Sequence, residues 1–336
     1  MSERRTRVGT LWIAGLLTVA LAAQAAPLKL ATLVPSGSIW DRALKDMSGE
    51  WGVATGGRVT LRIYPGGVAG DEGDVVRKMR IGQLHAAALT VTGLGEIDDA
   101  FSVFATPLMF ESYEELEHVL DRVGPDLERR LEAKGFVLVH WGHGGWVHFF
   151  SKRPAATLTD VKGMKMFAWA GDDARVQLWR RSGFQPVALS STDLLTGLQT
   201  GLIEAYPTPP LAALSLQWFR ETPYMSEVGL APLVGAVVVT KRAWEKISEE
   251  DRAKLMTVAK RYEKRLALEV PEQDSLAVDQ MTERGLQIVT VTDRAAWDAA
   301  ATEFASKSRG DLVPADMLDR VLAEVAAFRA AAEAGH

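Results

Sequence analysis

The stretch that decides the fold is residues 161–173, Val161-Lys162-Gly163-Met164-Lys165-Met166-Phe167-Ala168-Trp169-Ala170-Gly171-Asp172-Asp173. Residues 164–169 read as a strand. Gly171 supplies a turn, and Asp172 and Asp173 are residues that favour a helix N-terminus, here opening a helix to Ser182. A strand that enters a helix through a short turn is the repeating unit of an α/β fold. Side chains alternate along a strand, so Phe167 and Trp169 share one face while Met166 and Ala168 share the other.

The same logic extends on both sides. Downstream, 185–189 is a short strand, Ser191 or Thr192 caps a helix to Thr200, and 203–206 is the next strand. Upstream, 135–141 and 147–151 are strands, with Gly142–Gly145 as a turn between them. Nearer the N-terminus, 28–34 is a buried strand and Ser38 caps a helix over 39–54. Strand 59–64, helix 71–81 and strand 86–92 follow. Beyond the middle, 234–240 (VGAVVVT) is a buried strand. A long helix runs over 249–269, with a kink or break at Pro271. Strand 287–292 and an alanine-rich helical tail complete the chain.

The chain has 336 residues, a net charge of −5 and no basic block. That length suits two lobes, and that charge argues against nucleic acid as a partner. Arg4, Arg5 and Arg7 precede an apolar run over 8–22 and the small residues of Ala23-Gln24-Ala25. This is the pattern of a signal peptide over 1–25, cleaved near Ala25. The run is shorter than the roughly 20 residues that a membrane span needs. Cysteine is absent, which excludes thiol catalysis, thiolate metal sites and a lipid-modified cysteine.

Several segments, in order, resemble one family: the extracytoplasmic solute-binding proteins of TRAP transporters, the DctP type. Its signature reads close to D-L-K-G-x-K-I-R, matched here by Asp160, Lys162, Gly163 and Lys165. Residues 59–72 (VTLRIYPGGVAGDE) resemble V-x-I-x-V-Y-P-x-G-x-L-G-x-E, and 80–84 resemble R-x-G-x-I/L. Residues 105–110 resemble L-P-F-L-F, 145–149 resemble G-W-R-x-F, and 198–205 resemble L-Q-x-G-V-V-D-G. Trp244 followed by 248–251 resembles W-x-x-L-s-x-e-d.

The resemblance implies an α/β clamshell of two lobes of the periplasmic-binding-protein kind, with a long helix spanning both. Lobe I would hold 26–150 and 211–251, and lobe II 151–210 and 252–336. A small organic solute would bind in the cleft and close it by hinge motion. The protein would be periplasmic and monomeric, with no chemistry and no cofactor of its own, and it would deliver the solute to the membrane subunits of a TRAP transporter. A homodimer through the C-terminal helix is the alternative, although the stripe Leu318, Val321, Leu322, Val325 is of the kind that packs on its own lobe.

The family's ligand residues transfer poorly. Phe167 stands at the position of the arginine that forks onto a carboxylate, and Val147 stands at a second arginine position. Pro207 removes a polar side chain near Thr208. A carboxylate buried without its cation costs several kcal/mol, on the order of 3 to 5, whereas an aromatic wall suits an apolar or neutral group. The expected ligand is therefore neutral or hydrophobic. Phe167, Trp169, Trp146, Tyr206, Thr208 and Trp40 would line it, with Asp172 and Glu72 as acceptors.

Each assignment has a plainer competitor. Phe167 on an interior face is packing, and Asp172 or Asp173 is a helix cap. Trp141, Trp179, Trp218, Trp244 and Trp297 read as packing. His140, His143 and His148 lack the acidic neighbours and ligand count of a metal site and read as turn or cleft-wall residues. An organic acid could still bind through Lys152, Arg153, Lys165 or Arg175. A periplasmic enzyme would instead pair His143 or His148 with Asp172.

Overall fold

A computed structural model describes residues 27–334 of the chain; the signal-peptide reading of 1–25 lies outside the described residues. Ten strands form one continuous sheet: β1 Leu28–Thr32, β2 Leu61–Tyr64, β3 Ala86–Thr90, β4 Phe136–Ser151, β5 Lys165–Trp169, β6 Gln185–Leu189, β7 Ala205–Thr208, β8 Tyr224–Ser226, β9 Ala231–Thr240 and β10 Gln287–Val289. The order is β2-β1-β3-β9-β4-β7-β5-β6, with β8 joined to β4 and β10.

β4 is the spine of the molecule. Its first part pairs antiparallel with β9, and its last four residues pair antiparallel with β7. The parallel strands β2-β1-β3 therefore lie in one lobe and β7-β5-β6 in the other. The expected Gly142–Gly145 turn is instead part of this strand. Gly142 lies against the backbone of Gly235, and Gly145 takes φ +101, where a Cβ would meet Asp274 and Pro209. The glycines allow a register shift between His143 and Trp146 and carry the strand from one lobe to the other.

Period-two patterning builds the cores. In β9, Val238 packs with Phe101, Phe104, Leu127 and Trp141, while Val237 and Val239 pack with Leu30, Met47, Trp51 and Leu255 on the other face. In lobe II, Phe150, Phe167 and Tyr206 share one face with Leu198, Ile203 and Met281. Phe149, Met166 and Ala205 share the other with Val161 and Trp297.

The helix Ile39–Ala54 starts at Ser38, whose hydroxyl accepts from the Asp41 N–H at 3.3 Å. The helix Tyr113–Ala133 is not among the expected elements; Ser112 caps it by accepting from the Glu115 N–H at 3.1 Å. The long helix runs unbroken over Glu249–Thr282, through Pro271. Val270 and Asp274 on either side of the proline are buried, so packing holds the segment helical despite the lost backbone donor. Its first half packs in lobe I and its end, at Met281, in lobe II, so it spans both.

The expected lobe division needs one correction. The C-terminal helix Ala315–Ala334 does not join lobe II. Met317, Leu318, Val321 and Val325 are buried in the lobe I core, against the helix Tyr113–Ala133. Three of the four stripe residues thus pack on their own chain, while Leu322 is exposed. Among the described residues, no helix is long and apolar enough to cross a membrane.

Candidate functional site

A cavity of about 440 Å³ lies between the lobes. Lobe I contributes the ends of β1 and β3, the helix carrying Trp40, and β9. Lobe II contributes β5, the 191–195 turn, β7 and Trp218. A second cavity of about 260 Å³ lies beside it, bounded by the helix Asp173–Arg181 and by Trp297. Thr90, Phe167, Trp169, Pro207, Thr208 and Leu233 line both cavities and so form the wall between them.

Most, but not all, of the expected contact residues meet here. Phe167, Trp169 and Thr208 line both cavities, Trp40 and Glu72 the larger, and Asp172 the smaller. Phe167 is 4% exposed, and its ring meets Trp169 edge-on at 5.4 Å. It is therefore both part of the lobe II core and part of the cavity wall. Tyr206 lines neither cavity. It is fully buried, stacked on Phe150 at 5.5 Å, with its hydroxyl 3.1 Å from that of Thr222. Tyr206 and Thr208 share one face of β7, but Tyr206 lies deeper in the lobe II core and only Thr208, at the strand end, reaches the cavities. Trp146 also lines neither cavity, because it packs edge-on against Tyr113 at 5.2 Å and over Gly229. Conversely Trp218, read as packing, lines the larger cavity.

The two expected acceptors are already occupied. Glu72 accepts from Thr90 N at 2.7 Å, Thr90 Oγ1 at 2.7 Å and Gly93 N at 2.8 Å. Burial pushes its carboxyl up to about 7, against the opposing pull of those bonds. Asp172 caps the helix Asp173–Arg181 by accepting from Arg175 N at 3.1 Å, and it pairs with Arg175 Nε at 2.7 Å. The capping reading of Asp172 is the one the structure bears out.

Among the described residues, no lysine or arginine lines the larger cavity. Its ionisable groups are Glu72, Tyr262, His140 and His143. Tyr262 donates to Glu50 at 2.8 Å. Burial holds both histidines below the usual imidazole range, hence neutral. Cations are found in the smaller cavity, where Arg175 and Lys162 line the wall. Of the other cations considered, Lys152 donates to the Leu198 carbonyl and Arg153 to the Gly163 carbonyl at 2.7 Å. Lys165 is exposed at the start of β5.

The His148–Asp172 pair raised as an alternative is not formed. Asp172 is bonded to Arg175, and His148 Nδ1 lies 2.9 Å from the Ser226 carbonyl rather than from a carboxylate. Among the described residues, no group of three or more His, Cys, Asp or Glu is placed to hold a metal ion.

A buried carboxylate ties the long helix to two other segments of the chain. Asp274 of the long helix accepts from Trp146 N at 3.0 Å and Leu211 N at 2.8 Å, where two chain segments cross between lobes. Burial raises its carboxyl to about 6. The arrangement as a whole leaves a mostly apolar space of small-molecule size between the lobes.

Comparison with known proteins gives one consistent picture. Residues 30–309 match the family described as "Bacterial extracellular solute-binding protein, family 7" (DctP). The chain is 26% identical over 300 residues to a solute-binding protein of Roseobacter denitrificans, covering 87% of this chain and 89% of the relative. It is 26% identical over 251 residues to the 2,3-diketo-L-gulonate-binding periplasmic protein YiaO of Escherichia coli, covering 73% and 75%. Among solved structures, a TRAP periplasmic solute-binding protein of Xanthobacter autotrophicus with bound β-D-galacturonate superposes with a TM-score of 0.81 at 20% identity, covering 88% of this chain and 99% of that one. DctP7 of Bordetella pertussis, a receptor binding pyroglutamic acid, superposes with a TM-score of 0.82 at 19% identity, covering 90% and 99%.

Proposed function

Because this chain belongs to the bacterial extracellular solute-binding protein family 7, we propose that it is an exported receptor that captures one small organic solute between its lobes and delivers it to a TRAP-type transporter in the membrane. The N-terminal segment directs export and is removed near Ala25, leaving a periplasmic protein. It acts as a monomer, a reading supported by the burial of Leu318, Val321 and Val325 against its own lobe I. It performs no chemistry on its cargo.

The solute is neutral and largely apolar. The observation that carries this reading is the larger cavity, which no lysine or arginine among the described residues lines and which Trp40, Phe167, Trp169 and Trp218 bound. A carboxylate there would lose its hydration with no cation to replace it.

A second reading has its own support. Arg175 lines the smaller cavity, and its guanidinium is tied to Asp172 through Nε only. Solved structures of similar fold hold galacturonate, pyroglutamic acid and D-erythronate. In this reading an organic acid enters the smaller cavity and pairs with Arg175 in the manner of a forked Arg–carboxylate contact.

Mass spectrometry of the solute released from protein purified out of the periplasm separates the two. A neutral compound is expected. A released carboxylate whose rebinding is abolished by Arg175→Ala would replace the first reading with the second.

A further inference from the structure

The larger cavity contains one polar arrangement that the receptor reading leaves without a role. His140 Nδ1 lies 2.6 Å from the Trp141 carbonyl oxygen. A carbonyl can only accept, so Nδ1 carries the imidazole proton and Nε2 presents its lone pair. Nε2 has no hydrogen-bond partner among the described residues, and His140, 3% exposed, lines the cavity wall. The register shift in β4 between Leu138 and His140 falls beside this residue, and such bulges re-aim a side chain.

The ring is rigidly placed. Glu263 of the long helix accepts from Trp141 N at 2.8 Å, fixing the carbonyl's own residue. Trp40 Nε1 donates to the His143 carbonyl at 2.9 Å, fixing the strand three residues on. The charged groups facing His140 are Glu263 and Lys260, which are 3.0 Å from each other. His143, also buried and lining the cavity, has no ring hydrogen bond among the described residues.

We propose that His140 Nε2 is the acceptor that selects the solute, and that the solute is a neutral, mostly apolar molecule whose hydroxyl group donates to it, with His143 as a second polar contact. This rests on the neutral-solute reading and deepens it. A fixed acceptor in an apolar space favours a group with a proton to give. It discriminates against an ether, which has none, and against a carboxylate, whose lone pairs would face that of Nε2. Sites built to bond a hydroxyl reject analogues that lack it far more strongly than apolar walls discriminate by size.

The test uses three matched probes on the whole mature protein: 4-tert-butylcyclohexanol, its methyl ether, and 4-tert-butylcyclohexanecarboxylate, each titrated by calorimetry. The alcohol is expected to bind about tenfold or more tighter than the ether, and His140→Phe is expected to bring the alcohol's affinity down to the ether's. Equal binding of alcohol and ether overturns the inference, as does an alcohol preference that survives His140→Phe or an absence of alcohol binding at millimolar concentration. The carboxylate reports on the underlying reading instead: if it binds most tightly and Arg175→Ala abolishes that binding, the neutral-solute reading fails by itself. A two-bond ¹⁵N–¹H spectrum of the unsubstituted protein needs no variant. It is expected to show His140 protonated at Nδ1 and bare at Nε2, and the opposite tautomer would refute the assignment.

Discussion

Ser191 of lobe II donates its backbone N–H to Asp71 Oδ2 of lobe I at 2.9 Å, across the mouth of the cleft. Ser190 Oγ donates to the same oxygen at 2.9 Å, and Ser191 Oγ to Oδ1 at 3.2 Å. Asp71 also caps the helix Glu72–Arg80, accepting from Glu72 N at 2.8 Å. One carboxylate thus starts a helix in one lobe and clasps a turn of the other. Gly67 (φ +75) lets the chain pass close by, since a Cβ there would come within 2.8 Å of the Thr192 side chain.

If this clasp holds the lobes shut, removing it opens them. Ser190→Ala deletes one bond to a charged acceptor, about 1.5–3 kcal/mol, and leaves the helix cap in place. Asp71→Ala deletes the clasp and the cap, the latter adding about 0.5–2 kcal/mol to the loss. Small-angle scattering should give a radius of gyration that rises in the order native, Ser190→Ala, Asp71→Ala, and hydrogen exchange at the Ser191 amide should quicken in the same order. A faster Ser191 amide without any change in shape would restrict the contact to a local role.

The buried Asp274 carboxyl makes stability depend on pH. Burial raises the Asp274 carboxyl from 3.8 to about 6, so the folded chain holds that proton more tightly than the unfolded one. The associated stabilisation is complete below pH 3.8 and is lost as pH rises through about 6. Its size is on the order of 3 kcal/mol at about 1.4 kcal/mol per pKa unit. Glu72, raised to about 7, adds a slope of the same sign in a slightly higher window. Urea unfolding at a series of pH values should show the native protein losing stability relative to Asp274→Asn between pH 4 and 6. Parallel curves for the two proteins would assign the pH response to other groups.

Much of this architecture is legible in the sequence, and the failures have identifiable causes. The helix 39–54 and the strand 185–189 are found where expected, because each carries a local signal: a serine cap in one case, a turn-bounded apolar run in the other. The helix Tyr113–Ala133 has such a signal in Ser112 and Glu115, with Leu116, Val119, Leu120, Val123 and Leu127 at helical spacing, but Pro125 within it masks the pattern. Pro271 and Gly142–Gly145 mislead in the same way. Their local preference is for interruption, and contacts with distant segments, through Asp274 and Gly235, override it. In the site, Phe167 and Trp169 follow from strand alternation and family position, and Thr208 from family position alone. Trp146 and Tyr206 do not, since an aromatic residue gives no local sign of whether it faces a cavity or a core. His140 is harder still: its acceptor role depends on a strand bulge and on a tautomer set by its neighbour's carbonyl.

Phe167 offers a direct test of how far one position governs ligand class. Phe167→Arg places a guanidinium on the wall shared by both cavities. Without a partner it displaces a buried ring from the lobe II core and should destabilise the protein by about 3 kcal/mol or more. D-Galacturonate at high concentration should restore part of the lost Tm in Phe167→Arg and leave the native protein unmoved. Equal stabilisation of both proteins would mean that the native cleft already takes acids.

The C-terminal helix is tied to lobe I by an ion pair that differs from the many at the surface. Glu115 is 1% exposed, and Arg329 grips it with Nε at 2.6 Å and Nη2 at 3.1 Å, the latter nitrogen also donating to the Met109 carbonyl. Exposed pairs such as Arg294–Asp298 contribute about 0–1 kcal/mol. Truncating Arg329 instead strands a buried carboxylate, so Arg329→Ala should cost about 2–3 kcal/mol, below the full range for a wholly buried pair because the guanidinium is part-exposed. The double variant Glu115→Gln/Arg329→Ala should recover part of that loss, since the unpaired charge is gone. Denaturant unfolding of the two single variants and the double variant measures the coupling, and hydrogen exchange over 315–334 reports whether the helix has detached. A double variant no more stable than Arg329→Ala would locate the loss in packing by the arginine stem rather than in the stranded charge.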